Sequence, residues 1–201
     1  MGRRAKIDRQ SISESAMRLV AQSGPHGATM RAISADMNVN EAALYRHYKS
    51  KDEMLWSAYV RIVEEMAREK QHLANADIPF REVLREWIRL TYAYFDANAD
   101  AFAYVLLLPP PRDNNATAIT QEQGKIFLSL IRRAIRNKEM AVIEPKLAYS
   151  HFSGMMLNVP RLIREGTLRG PAKRYVNTVA DAAWRVLQPT GLYGRTTVSS
   201  S

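Results

Sequence analysis

Apolar residues recur at helical spacing along almost the whole chain, and this pattern most limits the folds open to it. In the first helix the stripe consists of Ile12, Ala16, Leu19 and Val20. The strict alternation of apolar and polar residues that marks a half-buried strand is absent from the sequence. Later helices are predicted at about 80–97, 99–108, 116–138, 144–165 and 171–188. The sequence therefore predicts an all-α fold.

Composition indicates the cellular compartment in which we expect the protein. The 201 residues include no cysteine, which excludes disulfides and thiolate metal sites and favours a reducing compartment. The longest apolar run, residues 101–108, is far shorter than a membrane span. The first basic residues are not followed by the apolar segment of a secretion signal. We expect a cytoplasmic protein that does not enter a membrane.

Positive charge is concentrated near the N-terminus. Residues 1–51 carry nine Lys and Arg against four Asp and Glu, whereas residues 52–201 carry twenty against sixteen. A basic N-terminal quarter on a nearly balanced body is typical of a module that binds a polyanion. A soluble protein with a solvated basic face explains the charge alone equally well.

Turn and capping residues divide the N-terminal quarter into short helices. Residues 24–27, Gly-Pro-His-Gly, are expected to end the first helix. Thr29 can cap a second helix, and Asn38 suits the left-handed conformation at its end. Asn40 can then cap a third helix about four residues after the second. This spacing predicts a helix-turn-helix.

The residue order in the third helix indicates which side faces outward. At 100° per residue, Leu44 and Tyr48 share the inner face, and Ala42 and Arg46 lie opposite, flanked by Ala43 and Tyr45. Small side chains let a helix enter the major groove. There arginine can donate two hydrogen bonds to guanine, and alanine methyls can contact thymine methyls. We interpret the outer face as a DNA-reading surface.

Other residues are placed to meet the DNA backbone. Tyr45 and His47 diverge to the two sides of the third helix, where phosphates would lie. Ser50 and Glu53 form a predicted capping box, in which the Glu53 carboxylate accepts from the Ser50 amide. Lys51, in the first turn after it, can bind a phosphate together with the helix amides, and Thr29 can act similarly. Arg3, Arg4 and Lys6 form an expected flexible arm that follows the backbone or a minor groove.

Residues 12–55 resemble the DNA-binding region of TetR-family transcriptional regulators. The run LYRHYKSKDEML, residues 44–55, closely matches the family's Leu-Tyr-x-His-Phe-x-x-Lys-x-x-Leu pattern. The other matching residues are Ile12, Ala16, Gly24, Thr29, Met30, Ile33 and Val39. The resemblance implies a three-helix DNA-binding domain followed by a larger all-α regulatory and dimerisation domain. We expect these at 1–55 and 56–188, with a frayed tail at 189–201.

Two departures from the family pattern affect the DNA-reading surface. Asn38 replaces a common glycine, and asparagine tolerates the left-handed backbone. Asn40 and Glu41 replace the usual Ser or Thr cap and small residue. Glu41 can accept a hydrogen bond from cytosine or simply discourage wrong sequences. Glu41 therefore leaves the operator sequence open, while the assignment of the DNA-binding module stands. The predicted DNA-binding residues are therefore Thr29, Asn40, Glu41, Ala42, Ala43, Tyr45, Arg46, His47 and Lys51.

The C-terminal body offers a candidate ligand site and a candidate dimer interface. Its mixed apolar and polar residues suit a small-molecule pocket, which the resemblance implies, although each also suits a plain core. The pocket candidates are Trp87, Thr91, Tyr94, Phe95, Phe102, His151, Met155 and Asn158. Apolar stripes near 147–163 and 176–187 fit a four-helix bundle between two protomers or packing within one chain. Pro160 is expected to bend or break its helix.

The residue patterns favour a DNA-binding regulator, and two matching reading helices in a homodimer imply a palindromic double-stranded DNA operator. The family resemblance implies a repressor that a small-molecule effector releases from this operator. The alternative is an all-α enzyme, or a ligand-binding protein without operator-specific DNA binding. The four histidines show neither metal-ligand spacing nor a catalytic signature, and there is no glycine-rich phosphate loop. We expect no cofactor, metal or catalytic residue. A non-specific DNA-packaging protein would need basic residues spread more widely.

Overall fold

The computed structural model describes residues 7–108 and 116–188, with side chains from residue 123 onward in the second range. The α-helices are α1 (Arg9–Gly27), α2 (Met30–Asp36), α3 (Glu41–Tyr45), α4 (Lys51–Ala74), α5 (Phe80–Ala97), α6 (Ala99–Phe102), α7 (Ala116–Arg136), α8 (Pro145–Arg164) and α9 (Val176–Leu187). A π-helical turn, Ala103–Leu107, follows α6, and a 3₁₀ turn, Ala172–Tyr175, precedes α9. No strand occurs in these ranges, which confirms the all-α prediction.

The chain forms two compact units. The first comprises residues 1–65 and 97–120, and the second comprises residues 66–96 and 121–201. Residues 97–108 join the first unit because α6 and the π-helical turn pack against α1, and the Tyr104 hydroxyl donates to the Leu55 carbonyl at 2.9 Å. These units do not follow the predicted boundary at residue 55, which stays a prediction about functional domains.

The local signals at the N-terminal helix ends have mixed outcomes. Helix α1 ends at Gly27, within the predicted stretch 24–27, but Gly24, at φ 73°, already kinks it one turn earlier. The Ser50 hydroxyl accepts from the Glu53 amide at 3.1 Å, as predicted. The Glu53 carboxylate, however, accepts from the Lys49 amide at 2.8 Å, so the expected return bond to Ser50 was wrong by one residue.

Helix α8 continues through Pro160, so the expected break does not occur. A proline at this position cannot donate to the carbonyl of Met156, four residues earlier. The hydroxyl of Tyr92 on α5 donates to that carbonyl at 3.0 Å instead. The helix therefore keeps its buried carbonyl paired, which removes one cost of an internal proline.

The core of the second unit is aromatic. Phe127 on α7 stacks on Phe152 of α8, with ring centroids 4.3 Å apart, and meets the edge of Trp87 on α5 at 4.8 Å. Phe80 and Tyr149 also pack against Phe127. The inward face of α8 consists of Ala148, Phe152, Met156 and Pro160. Its four-residue spacing is that of one helical stripe.

The predicted arm residues Arg3, Arg4 and Lys6, the predicted loop at 109–115 and the predicted tail at 189–201 lie outside the described residues.

Candidate nucleic-acid interface

The turn between α2 and α3 has the predicted length and conformation. Helix α2 ends at Asp36 and α3 begins at Glu41, leaving four residues between them. Asn38 adopts φ 53°, the left-handed conformation expected of it. The Val39 amide then donates to the Ser34 carbonyl at 2.9 Å. The helix-turn-helix prediction is confirmed.

Side chains at both ends of α3 fix its position. The Asn40 side chain accepts from the Ala42 amide at 2.9 Å, which confirms the predicted cap. Leu44 is completely buried, and the buried Tyr48 hydroxyl donates to the Arg9 carbonyl at 3.3 Å. The Arg9 guanidinium lies 5.0 Å from the Tyr48 ring and donates to the His47 carbonyl at 3.0 Å. Arg9 thus ties the start of α1 to the end of α3.

The outer face of α3 is narrower than predicted. Ala42, Tyr45 and Arg46 are exposed, Tyr45 to 51%. Ala43 is only 7% exposed, so its methyl packs inward and is not part of the exposed surface. Glu41 and His47 are half-buried beside that surface. Leu44 and Tyr48 are buried as predicted, and Ala43 extends the inward face beyond them.

The charges around this surface are mostly positive. Arg31 on α2 and Lys49 after α3 are both exposed, although sequence reasoning did not select them. Asp36, at the end of α2, accepts from the Ser15 hydroxyl at 2.5 Å and pairs with Arg18. The Ser15 hydrogen bond and the nearby Arg18 charge lower the pKa of the Asp36 carboxyl against the opposing effect of burial. That acidic charge is therefore matched within the protein.

The two predicted phosphate ligands differ in how they are held. The exposed Thr29 side chain accepts from the Ala32 amide at 3.1 Å and caps α2. Half-buried Lys51 donates from Nζ to the carbonyl of Pro25 at 3.1 Å. An ammonium has three donors, so two remain after this contact. A phosphate contact at Lys51 is compatible with the bond to Pro25.

Comparison with known proteins supports the interpretation of these helices. Residues 12–58, which span α1 to the first turns of α4, match the family model for bacterial regulatory proteins of the tetR family. No protein of curated function matches the chain. Many solved structures share its fold. The match establishes a domain of the tetR family of bacterial regulatory proteins at residues 12–58. Members of this family are DNA-binding regulators, not enzymes.

Three solved structures illustrate how much of the chain shares this fold. PfmR from Thermus thermophilus is 20% identical, covers 87% of this chain and 97% of its own, and has a TM-score of 0.74. A tetR-family regulatory protein from Rhodococcus RHA1 is 17% identical, with coverages of 91% and 98% and a TM-score of 0.78. FadR from Bacillus subtilis, solved with stearoyl-CoA, is 14% identical, with coverages of 88% and 97% and a TM-score of 0.72. At such low identities the likeness establishes the fold alone.

The predicted ligand residues fall into three groups. Trp87, Thr91, Tyr94 and Phe95 are buried on α5 in the second unit, and the Thr91 hydroxyl donates to the Trp87 carbonyl at 2.8 Å. Phe102 is also buried but belongs to the first unit.

The three α8 candidates form the remaining group. His151 and Met155 are half-buried and Asn158 is exposed, with its Oδ1 accepting from Arg161 at 2.7 Å. The His151 Nδ1 is buried and has no hydrogen-bond partner within the described part of the chain. The structure thus brings four of the eight predicted residues together on α5.

The structure also contains functional candidates that sequence reasoning did not find. Lys70 on α4 is buried beside Trp87, and Tyr92 supports the proline turn of α8. Lys70 follows Leu55, Tyr59, Ile62 and Met66 on the buried face of α4 at helical spacing. This spacing is its only signal in the sequence, because the residue type is that of an ordinary surface lysine. Within residues 7–108 and 116–188, no cluster of three potential metal ligands occurs, and no helix is both long and apolar enough to cross a membrane.

Proposed function

We propose that the chain binds a palindromic DNA operator as a homodimer and represses transcription until a small-molecule effector releases it. The observation that carries the DNA-binding part is the exposed surface of α3. Ala42, Tyr45 and Arg46 face outward there, while Leu44 and Tyr48 anchor the helix from beneath. This arrangement lets the helix enter the major groove without disturbing the core.

Each residue on this surface has a distinct proposed task. Arg46 reads a base edge, most favourably guanine O6 and N7, and Ala42 contacts a thymine methyl. Tyr45, His47, Thr29 and Lys51 contact phosphates on either side, where they set the register and not the sequence. Glu41 and Asn40, at the start of α3, tune which bases are accepted. Ala43, being buried, acts by holding α3 in place.

A homodimer follows from the need for two reading helices and from the partly exposed side of α8. That side carries Leu147, 46% exposed, together with the half-buried Met155 and Leu162. Because His151 and Asn158 share this stripe, we infer that they face the partner protomer. Two heads related by a two-fold axis imply half-sites about one helical turn, or a multiple of it, apart.

The effector site is proposed for the second unit, around Trp87, Thr91, Tyr94 and Phe95. FadR from Bacillus subtilis, which has the same fold, holds stearoyl-CoA, and this supports an effector with a large apolar part. Helix α4 begins in the first unit and ends in the second. An effector acts on DNA binding only through different affinities for two arrangements of the protein. We place this regulator in the cytoplasm.

Selection of bound sequences from random DNA tests the DNA-binding part. The 201-residue chain should enrich a palindromic motif, and the Arg46→Ala variant should lose the base preference at one position in each half of the motif. Sedimentation at micromolar protein should show a dimer. Enrichment of no motif would refute operator binding. A monomer both with and without DNA would refute the symmetric arrangement.

A further inference from the structure

Lys70 occupies an unusual place for a lysine. It lies on α4 in the second unit, and its relative exposure is 0%. Lysine is almost never fully buried in proteins unless a partner balances its charge. The Lys70 Nζ lies 5.4 Å from the centroid of the Trp87 ring, which provides one weak electrostatic contact.

The hydrogen bonding of Lys70 is incomplete. Its Nζ donates to the carbonyl of Met66 at 3.2 Å, one turn earlier in the same helix. A lysine ammonium has three donors, so two are not engaged by this bond. Among the side chains that the structure describes, no carboxylate forms an ion pair with Lys70. Glu69, the acid that acts on it through its charge, is exposed.

Such an arrangement is costly for a residue that only fills space. Burying an ammonium without a charged partner opposes folding, and a methionine of similar volume fills the same space without that cost. Burial lowers the pKa of Lys70 to about 8, despite the opposing charge of Glu69. Strongly perturbed titratable groups are concentrated at binding and catalytic sites. The position of Lys70 therefore points to an anion that it binds.

The surroundings define the class of anion. Lys70 is the only buried charged side chain that the structure describes, which favours a ligand with a single negative charge. Trp87 is part of the aromatic cluster of Phe127, Phe152 and Tyr149, which favours an apolar body. A compact ammonium makes a point contact with a carboxylate and lacks the planar fork that arginine offers to phosphate.

We propose that Lys70 binds the carboxylate of an apolar organic acid, whose hydrocarbon part packs against the aromatic side chains of α5, α7 and α8. This inference rests on the proposed function and names the chemical class of its effector. In the complex the carboxylate accepts from the Lys70 donors that Met66 leaves free. The bound anion also stabilises the ammonium form of Lys70.

Calorimetric titration of the full-length protein without DNA tests the contact directly. The probes are hexanoate, decanoate, tetradecanoate and phenylacetate, each paired with its primary alcohol, which has the same apolar part and no charge. Wild type should bind at least one of the acids, and at least about tenfold more tightly than the matched alcohol, as one charged hydrogen bond predicts. Lys70→Met should remove this preference and leave alcohol binding unchanged. Lys146→Met, which removes an exposed lysine of α8, should behave as wild type.

A second measurement needs no variant. With a pKa of about 8, Lys70 is mostly neutral in the free protein at alkaline pH. Binding of a carboxylate should then draw a proton from the buffer, close to one per ligand at about pH 9 and roughly a tenth of that at about pH 7. The uptake is read from the binding heat in buffers of different ionisation enthalpy. A lysine with a purely structural role would produce no such difference.

Three outcomes would overturn the proposal: no acid binds, acids and alcohols bind wild type equally, or Lys70→Met binds the acids as tightly as wild type. Each of them leaves the proposed function untouched as long as the protein selects a palindromic DNA motif. Conversely, an acid could bind tightly through Lys70 and yet release no DNA from the protein. This result would support the contact at Lys70. It would refute release by this effector.

Discussion

Arg46 and Lys70 carry the same formal charge in opposite surroundings. Arg46 is exposed to solvent at the C-terminal end of α3, a helix that the Asn40 cap and the buried Leu44 and Tyr48 hold in place. Lys70 is enclosed on α4, with the Met66 carbonyl and the Trp87 ring as its described contacts. The first cation costs the fold almost nothing, whereas the second opposes folding. The charge of Arg46 in the first unit is therefore solvated, whereas the charge of Lys70 lies in the interior of the second unit.

The degree of solvation determines which ligands Arg46 and Lys70 can each bind. In the proposed complex with DNA, the solvated Arg46 binds a large, highly charged partner, and its specificity comes from hydrogen-bond geometry at a base edge. An enclosed ammonium meets only ligands small enough to enter the protein interior, and it discriminates strongly against neutral ones. Substitutions in the two units test this difference between an exposed and a buried cation. The largest effect on stability is expected at Lys70.

Replacing Lys70 by methionine should stabilise the protein at neutral pH. The folded pKa, about 8, lies below the ordinary lysine value of 10.5, so the unfolded chain binds the proton more tightly. Stability therefore rises with pH between these two values, and the full cost is present below about pH 8. The difference corresponds to roughly 3 kcal/mol, which Lys70→Met should gain at neutral pH. Urea unfolding of variant and wild type across this pH range measures the gain.

The pH dependence of this stability gain provides a second check. The advantage of Lys70→Met should shrink as pH rises and should nearly vanish above the ordinary pKa of 10.5, where Lys70 is neutral in both the folded and the unfolded chain. Lys146→Met serves as the exposed control and should show no such trend. A variant less stable than wild type at neutral pH would show that the Lys70 contacts outweigh its burial.

Replacing Arg46 by alanine should weaken operator binding by about 1–3 kcal/mol per half-site and relax base preference at one position. The thermal stability of the protein should hardly change, because the side chain is exposed. Binding to matched and mismatched operators measures both parts. A uniform loss across all sequences would mean that Arg46 contacts phosphate and that α3 is turned differently in the groove.

Sequence reasoning succeeded where local rules dominate. The left-handed Asn38, the Asn40 cap and the buried Leu44 each follow from the few residues around them. It failed where a distant residue decides: Tyr92 lets α8 pass through Pro160 by pairing with a carbonyl 64 residues away in sequence. Lys70 was missed because lysine is normally a surface residue, and only the packing shows that this one is enclosed.

Replacing Tyr92 by phenylalanine tests the hydrogen bond from the Tyr92 hydroxyl to the Met156 carbonyl in the second unit. The Met156 carbonyl would lose the hydroxyl that replaces the missing proline donor. A buried carbonyl left unpaired costs about 1–3 kcal/mol, so the unfolding midpoint should fall accordingly. In a Pro160→Ala background the loss should be smaller, because the alanine amide can pair with the carbonyl. An equal loss in both backgrounds would show that the hydroxyl does not compensate for the proline.

Replacing Lys51 by alanine should have the smallest effect and sharpens the contrast with Arg46. Its ammonium is held at 3.1 Å by the Pro25 carbonyl, so it is already oriented at the start of α4. A lysine that neutralises one phosphate contributes to every sequence alike. Lys51→Ala should therefore weaken binding to matched and to random DNA by the same factor. The slope of log affinity against log salt concentration should fall by about one for each phosphate that is no longer neutralised. Lys49→Ala, which removes an exposed lysine two residues earlier, is the matched comparison. If Lys51→Ala changed base preference instead, Lys51 would contact a base and not a phosphate. The residues that contact bases would then extend beyond α3 to the start of α4.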